Sequence, residues 1–325
     1  MKVLVFGGAG FVGLNIAAAL LVRGHSVTSF DRAGLPRGAT NDFARYGDRL
    51  TAVQGDVRDS QAVQAAVTAG YDAIILGTAI TAGPEREASD PETILQVNLL
   101  AQTPILMAAQ KTGVKRIINL SSAAAYGASA FHHPLLDEET PCDPASLYAI
   151  TKFASEKVAA RLAGLWQREI VSVRLSAVFG PWERSNDVRD TPSPQAQILS
   201  AMQGGYQAIL SRPGVRDWIY AADVADAVSL LIEAPKPEYQ LYNISSGMEW
   251  SALQWGEELA ALHPGLVCRL ADAGEVATVD LHSAADRAPL SVARMADEFG
   301  WRARFGCADS AADLSAWWKR HREDT

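Results

Sequence analysis

Near its start the chain reads Val3-Leu4-Val5-Phe6-Gly7-Gly8-Ala9-Gly10-Phe11-Val12-Gly13, a short apolar strand that runs directly into closely spaced glycines. An apolar-periodic segment follows at 14–22. In such a turn the first glycine allows a sharp bend, the second lets a pyrophosphate approach the backbone, and the third lets helix pack on strand. The phosphates would lie at the helix N-terminus, where N–H groups and the helix dipole favour negative charge. The stretch therefore predicts a dinucleotide-binding turn.

An acidic residue at the end of the next apolar run supports this prediction. Asp31 closes the run 26–30, about 20 positions after the glycines, where a carboxylate reads the two ribose hydroxyls. Arg32 comes directly after it and could instead attract a 2′-phosphate. Because the carboxylate ends the strand, we expect NAD, with NADP as the less favoured cofactor.

Bulk composition is that of an enzyme rather than a nucleic-acid or membrane protein. The 325 residues carry a formal net charge of −8 and a pI near 5.3, which argues against nucleic acid or an anionic membrane as partner. The chain opens directly into a strand, and no apolar run approaches the ~20 residues that span a bilayer. We expect a cytoplasmic protein that acts on a small-molecule substrate.

No metal centre or disulfide framework is predicted. The three cysteines are scattered along the chain. His132 and His133 precede the acidic loop 137–139 and could suggest metal binding, but they show no ordered ligand spacing. The two histidines could equally well be exposed loop residues without a metal.

Strand-like and helix-like segments alternate along most of the chain, and this order predicts an α/β fold with a Rossmann-type, doubly wound parallel sheet. The predicted strands are 2–6, 25–30, 51–54, 73–76, 116–120, 170–175 and 240–244, and the predicted helices include 13–23, 60–69, 91–112, 147–163, 195–203 and 311–320. The pattern breaks after Gly180. We expect a dinucleotide-binding domain at 1–180, to which 215–247 returns, and a smaller C-terminal substrate-binding lobe made of 181–214 and 248–325.

The reaction chemistry is predicted at Ser122, Tyr148 and Lys152. Tyr148 and Lys152 are four apart, so on a helix they share one face. A neighbouring ammonium stabilises a phenolate, and a tyrosine so tuned can accept the proton of a substrate hydroxyl while hydride leaves the same carbon. Ser122 follows the strand 116–120, at the sheet edge where open α/β folds bind ligands, and could hold the reacting oxygen. A chance Tyr-x-x-x-Lys pair on a helix surface is the alternative interpretation.

Taken together, the motifs resemble those of the extended short-chain dehydrogenases/reductases, the NAD-dependent epimerase/dehydratase proteins. The resemblance runs in unbroken order to about Gly247. The matching motifs are Gly7-x-x-Gly10-x-x-Gly13, Gly55-Asp56-Val57, Asn98, Ser122, Tyr148-x-x-x-Lys152, the stretch 216–225 and Tyr242-Asn243-Ile244-Ser245-Ser246-Gly247.

The resemblance implies a role for each matching residue. Asp56 and Val57 would flank the adenine, Lys152 would also bond the nicotinamide ribose, and Asn98 would support the central helix and the site. The implied cofactor-binding set is Gly7, Gly10, Phe11, Val12, Gly13, Asp31, Arg32, Asp56, Val57, Gly77, Thr78, Ala79, Asn98, Tyr148 and Lys152, and the implied substrate-binding set is Thr81, Ser122, Tyr148 and Arg216. Family members usually dimerise through two helices per subunit, here 91–112 and 147–163, so a homodimer is expected.

Departures from the family pattern bear on the substrate. Ala123 and Ala124 stand where sugar 4,6-dehydratases carry an acidic pair, which argues against dehydration. Ala177 replaces an asparagine that contacts nucleotide sugars, and the arginine-x-Gly-Asp element expected near residue 280 is missing. Arg216 remains at the phosphate-binding position, although a guanidinium there could equally bind a carboxylate.

The charged segment 182–190 has two interpretations. Its charges could face the site, or the segment could be a solvated loop. The solvated loop is the favoured interpretation.

Three functions therefore stay open. The first is an NAD-dependent oxidoreductase that removes hydride from a secondary alcohol of a sugar-like or polyhydroxy-acid substrate, with Tyr148 as base, Lys152 tuning it and Ser122 orienting the oxygen. The alternative is an epimerase of a nucleotide sugar with tightly bound NAD, which Arg216 favours and Ala177 disfavours. The third, a non-catalytic nucleotide-sensing protein, fits poorly with an intact catalytic triplet.

Overall fold

A computed structural model describes residues 1–184 and 188–321 and contains one large parallel sheet. The strands are β1 (Lys2–Phe6), β2 (Ser26–Asp31), β3 (Leu50–Gln54), β4 (Ala73–Leu76), β5 (Arg116–Ser122), β6 (Glu169–Leu175), β7 (Val178–Phe179), β8 (Ala208–Leu210), β9 (Val215–Arg216), β10 (Ile219–Tyr220), β11 (Leu241–Ile244), β12 (Trp250–Ser251) and β13 (Cys268–Leu270). Seven of them pair in the order β11-β6-β5-β4-β1-β2-β3. This is the doubly wound parallel sheet that the sequence predicts.

The helices lie between the strands. They are α1 (Phe11–Val22), α2 (Arg37–Phe43), α3 (Ser60–Ala66), α4 (Pro84–Ser89), α5 (Pro91–Leu95), α6 (Gln102–Thr112), α7 (Leu147–Trp166), α8 (Pro194–Gly204), α9 (Ala221–Glu233), α10 (Ala252–Leu262), α11 (Ala293–Phe299) and α12 (Cys307–His321). The predicted helix 91–112 is interrupted, because a π turn over Gln96–Leu100 separates α5 from α6. The bulge of a π turn is common at functional sites, and this one contains Asn98.

Alternate side chains of the central strands enter two different cores. Val3 and Val5 of β1 pack with α1 and α9, whereas Leu4 and Phe6 pack with α3, α6 and α7. Successive side chains of a strand point to opposite faces, so a strand covered on both sides must be apolar throughout. This requirement explains why the buried strands read as continuous apolar runs.

A third core, rich in tryptophan, forms the lobe beside the sheet. Trp218, Trp250 and Trp255 pack there with α8, α10 and α12. Trp317 of α12 meets Trp182 edge to face, with ring centroids 5.0 Å apart. The last helix is therefore held against this lobe by aromatic packing.

The strand order places a crevice at the carboxyl edge of the sheet. β1 pairs with β2 on one side and with β4 on the other, so the connections after β1 and β4 lead away in opposite directions. Ligands of open α/β sheets bind at such a switch point. The crevice here lies between the glycine turn after β1 and the loop after β4.

Candidate active site

The glycine turn after β1 leaves no space for side chains. A Cβ added at Gly13 would lie 2.1 Å from the Gly7 carbonyl oxygen, and one added at Gly7 would lie 2.8 Å from the Gly77 carbonyl carbon. Gly7 also has a φ of +79°, which favours glycine. Gly10, the N-cap of α1, contributes no capping side chain, so N–H groups of the first turn remain available to an anion.

Asp31 is held against this turn at the end of β2. Its Oδ2 accepts a hydrogen bond from the Ala9 N–H at 3.1 Å, and its Oδ1 accepts one from the Ala33 N–H at 3.0 Å. Asp31 and Arg32 line the same cavity as Gly7 and Gly10. The carboxylate is therefore fixed at the strand end, with lone pairs left to accept ribose hydroxyls.

At the far end of this cavity, Asp56 is paired with an arginine that was not singled out in the sequence. Arg58 donates to both carboxylate oxygens of Asp56, with Nη2 2.6 Å from Oδ2, and this hydrogen bonding lowers the pKa of Asp56. Val57 is buried and lines the cavity with them. The only sequence signal for Arg58 was its place two residues after Asp56.

The loop after β4 closes the other side of the cavity with Gly77, Thr78 and Ala79. The Thr78 hydroxyl is buried, and among the described residues it has no hydrogen-bond partner. A buried hydroxyl without a partner is costly, so this one suits a polar ligand. Together with the glycine turn and Asp31, it forms a cavity whose groups fit a dinucleotide.

Asn98 lies behind this cavity rather than in its wall. The side chain is fully buried, its Oδ1 accepts from the Ile80 N–H at 2.7 Å, and its Nδ2 donates to the Ile80 carbonyl at 3.0 Å. Both ends of the amide bond the Ile80 backbone, and a contact between Asn98 and the cofactor stays a prediction. Asn98 holds the loop that leads from Ala79 to Thr81.

The three predicted catalytic residues come together where β5 meets α7. Ser122 is the last residue of β5, and its Oγ accepts from the Ala124 N–H at 3.1 Å. Tyr148 lies in the first turn of α7, one turn before Lys152. The Lys152 ammonium donates to the Leu120 carbonyl at 2.7 Å and lies 5.8 Å from the Tyr148 ring centroid.

The electrostatics of Tyr148 differ from the expected tuning. Burial raises the pKa of its hydroxyl, and hydrogen bonding to Ser122, the charge of Arg189 and hydrogen bonding to Thr81 offset part of that rise. Lys152 points its ammonium at the Leu120 carbonyl, and burial lowers the pKa of Lys152 to about 8 despite the nearby Glu156. In this protein the pKa of Tyr148 is thus shifted upward, because desolvation outweighs the nearby cation.

The cleft continues from Ser122 to a pair of arginines. Arg216 and Arg287 line one cavity with Ser122, Ala123 and Ala124. Arg216 lines this cavity, and its role in binding substrate stays a prediction. Arg287 was missed, since it stands in a stretch without a recognisable motif and reaches the cleft only through the fold.

These two guanidinium groups are held differently. Arg287 forms an ion pair with the fully buried Asp217 at 2.8 Å and donates to the Ser176 hydroxyl at 2.7 Å. Arg216 lies 5.2 Å from the Trp218 ring centroid, and its buried Nε has no hydrogen-bond partner among the described residues. Burial and the charge of Arg287 lower the pKa of Arg216 to about 10. An anion bound between the two would relieve this repulsion.

Within the segment 182–190, Glu183 and Arg189 are largely withdrawn from solvent, whereas Arg184 and Asp190 are exposed. The Glu183 side chain is 1% exposed and pairs with Arg189, and Arg189 lines the cavities that contain Tyr148. Residues 185–187 lie outside the described part of the chain. The favoured interpretation, a solvated loop, was wrong for Glu183 and Arg189. These two charged residues of the stretch pair with each other instead of with water.

Over 1–184 and 188–321, no group of three His, Cys, Asp or Glu side chains could hold a metal ion. In the same ranges, no helix is both long and apolar enough to cross a membrane.

Comparison with known proteins identifies the family. The profile of the NAD dependent epimerase/dehydratase family matches residues 3–245. The chain belongs to this family. It is therefore an NAD-dependent enzyme, and the motif resemblance is confirmed. Among its relatives is a dTDP-glucose 4,6-dehydratase of Mycolicibacterium smegmatis, 31% identical over 233 residues that cover 70% of this chain and 67% of the relative.

Two further comparisons concern 4-epimerases. A UDP-glucose 4-epimerase of M. smegmatis is 26% identical over 257 residues, or 77% of this chain and 79% of that protein. The crystal structure of a UDP-glucose 4-epimerase from Bifidobacterium longum with NAD+ and UDP superposes with a TM-score of 0.81. It covers all of both chains at 24% identity. The epimerase/dehydratase enzyme described here shares that fold over its whole length.

Proposed function

We propose that this enzyme is an epimerase of a nucleotide-diphosphate sugar that keeps NAD bound through each turnover. The observation that carries the proposal is one cleft with Ser122 and Tyr148 at one end and Arg216 and Arg287 at the other. The proposal reverses the order of the two enzymatic hypotheses that the sequence left open.

The arginine end of the cleft fits a diphosphate. Guanidinium groups bind phosphate oxygens through paired, charge-assisted hydrogen bonds. Arg216 has an unpartnered nitrogen among the described residues, and its neighbour Arg287 is anchored by Asp217. This arrangement replaces the late arginine motif whose absence from the sequence argued against nucleotide sugars.

The other end of the cleft fits proton transfer at a sugar hydroxyl. Bound NAD would supply a reversible hydride acceptor for the carbinol carbon. Tyr148 would take the hydroxyl proton and later give it back, with the Ser122 hydroxyl holding the same oxygen. Lys152, fixed at the Leu120 carbonyl, would position the cofactor ribose and supply positive charge below pH 8.

The lining of the cleft favours epimerisation over dehydration. Elimination of water needs an acid beside the reacting carbons, yet Ala123 and Ala124 occupy the wall next to Ser122. Among the described residues, none of the three cavities that contain Ser122 or Tyr148 is lined by an Asp or Glu. Hydride removal and return on the opposite face of the sugar needs no such acid.

A polyhydroxy-acid dehydrogenase is the second candidate, favoured by Ala177, which lines the cleft where the nucleotide-sugar enzymes place an amide. The two candidates differ in how they use the cofactor. An epimerase regenerates its cofactor in place, whereas a dehydrogenase must release it.

The test is to denature freshly purified protein, identify the released nucleotide by mass, and incubate the native enzyme with UDP- and dTDP-hexoses. We expect near-stoichiometric NAD and conversion of at least one sugar into its epimer without added cofactor. An empty protein that binds NAD reversibly and reduces it with a free sugar acid would replace the epimerase by the dehydrogenase.

A cytoplasmic homodimer remains part of the proposal. Exposed apolar side chains on the two segments expected to pair, 91–112 and 147–163, support the dimer: Leu100, Met107 and Ile150.

A further inference from the structure

The segment at 188–190 is attached to the loop that contacts the catalytic tyrosine. The Thr81 N–H donates to the Val188 carbonyl at 2.8 Å, and the Asp190 N–H donates to the Thr81 carbonyl at 3.1 Å. Thr81 is also a side-chain hydrogen-bond partner of Tyr148. Arg189 is therefore bridged to Thr81 through the backbone, and its side chain lines both cavities that contain Tyr148.

The Arg189 guanidinium is fixed by a buried carboxylate. Glu183 Oε1 accepts from Arg189 Nη2 at 2.6 Å and from Nε at 3.1 Å. The same carboxylate accepts from the N–H and hydroxyl of Ser193, at 2.8 and 2.7 Å. On its other side, the guanidinium lies 5.3 Å from the Phe11 ring centroid. A side chain held from two directions is part of a preorganised site rather than a mobile surface group.

We propose that Arg189 is a positioning residue of the active site, whose fixed positive charge faces the Tyr148 hydroxyl and favours the phenolate that acts as base. The inference rests on the proposed function only in giving Tyr148 the role of base.

Arg189 would act beside Lys152 in this electrostatic role. The charge of Arg189 opposes the burial that raises the pKa of Tyr148. The Lys152 ammonium is directed at the Leu120 carbonyl, and with a pKa of about 8 it loses its charge as the pH rises past that value. Arg189 therefore adds a second cationic group to the cavities that contain Tyr148.

The other charged groups near Tyr148 come from several elements. Glu87 of α4 accepts from the Tyr148 N–H at 3.3 Å, on the backbone side of the residue. Arg184, Arg216 and His282 line cavities that Tyr148 shares.

The experiment places a fluorinated tyrosine at position 148 and follows its ionisation by fluorine NMR in the purified protein with its bound nucleotide. A fluorinated phenol ionises at lower pH than tyrosine, which brings the midpoint closer to the accessible pH range. In Arg189→Gln we expect the midpoint to rise by about one pH unit, since an opposite charge nearby shifts a pKa by at least that much. Arg189→Lys should restore most of the shift.

Two further variants separate this effect from others. Arg302→Gln removes an exposed arginine far from the cleft and should leave the midpoint unchanged. If Arg189→Gln alone fails to fold because Glu183 is left unpaired, Glu183→Gln/Arg189→Gln removes both charges and keeps an acceptor for Ser193. We expect its midpoint to rise as well.

Activity gives a second readout if a sugar nucleotide is turned over. The rising limb of kcat against pH should move upward by the same amount in Arg189→Gln, which is about tenfold slower turnover at a pH below the limb. A midpoint that stays in place in Arg189→Gln overturns the proposal, whether the variant loses its nucleotide, binds sugar nucleotide more weakly or behaves as wild type. Failure of every sugar substrate would refute the proposed function alone, because the fluorine midpoint needs no substrate.

Discussion

The proposed cofactor end of the cleft is built mainly from backbone, whereas the proposed substrate end is built from arginine side chains. At the cofactor end, Gly7 and Gly13 bring main-chain atoms together so closely that a single Cβ would collide. At the substrate end, Arg216 and Arg287 reach the cleft on long side chains, and a buried carboxylate anchors Arg287. The first end is specified by sterics within a few residues, and the second by charge pairs between distant ones.

This difference has a functional consequence. A backbone-built site tolerates little change and suits a cofactor that stays the same across a family. A site built from side chains can change its ligand through one substitution, because the scaffold does not depend on every arginine that lines it. Tyr148 stands where the two ends meet, so its removal should abolish the chemistry without disturbing either end.

Tyr148→Phe is accordingly expected to have the largest effect on turnover. Loss of the general base should lower kcat by about 1,000-fold, since positioned acid–base groups contribute factors of this size. Bound NAD and affinity for a nucleotide diphosphate should be nearly unchanged. Turnover and released nucleotide are measured in parallel, with Tyr206→Phe, at an exposed tyrosine, as the control. Retained turnover in Tyr148→Phe would show that another group is the base.

The same contrast explains how far the sequence could be interpreted. The turn around Gly13 was predictable because its glycines, strand and helix are neighbours in the chain and each has a steric reason. The positions of the three predicted catalytic residues followed from local geometry. Ser122 comes at the end of a predicted strand, and Tyr148 and Lys152 are four apart, which places them on one face of a helix. Their assembly in one cleft follows from the parallel sheet, which brings the carboxyl ends of β4, β5 and β6 to one edge.

What the sequence did not reveal depends on contacts between distant or unexpected partners. Arg287 is held in the cleft by an ion pair with Asp217, 70 positions earlier in the chain. No local sequence pattern indicates this contact. Glu183 and Arg189 looked like solvated charges because a sequence does not show that they bury each other. Asn98 had a family motif, but only the fold shows that its amide bonds the Ile80 backbone.

Gly13→Ala tests the steric end of the cleft. The added Cβ would lie 2.1 Å from the Gly7 carbonyl oxygen, so the turn must open. Overpacking of this kind costs about 3 kcal/mol, which corresponds to roughly 100-fold weaker NAD binding. The readout is the NAD content of purified protein and the affinity for added NAD.

The matched control for Gly13→Ala is Gly164→Ala in α7. A Cβ at Gly164 would meet nothing within 4 Å, and alanine favours a helix by about 0.5–1 kcal/mol. This variant should keep its NAD and become slightly more stable to urea. Equal NAD content in both variants would mean that NAD binding does not depend on the absence of a side chain at Gly13.

The smallest expected effects distinguish the two arginines of the substrate end. Arg216→Met removes a guanidinium that the described fold leaves partly unpartnered, so binding of UDP should weaken about tenfold through a lost charge-assisted hydrogen bond. Unfolding free energy should change by about 1 kcal/mol or less. Calorimetric titration with UDP and urea unfolding measure the two quantities.

Arg287→Met should weaken UDP binding to a similar degree but also destabilise the fold. Without Arg287, the fully buried Asp217 carboxylate loses its ion pair, and an uncompensated buried charge costs about 3 kcal/mol. Asp217 keeps hydrogen bonds from the Ser245 hydroxyl at 2.6 Å and the Leu290 N–H at 2.9 Å, which limits the loss. If both variants lost stability equally, Arg216 would belong to the scaffold. If neither weakened UDP binding, the cleft would take a different anion and the nucleotide-sugar proposal would lose its main support.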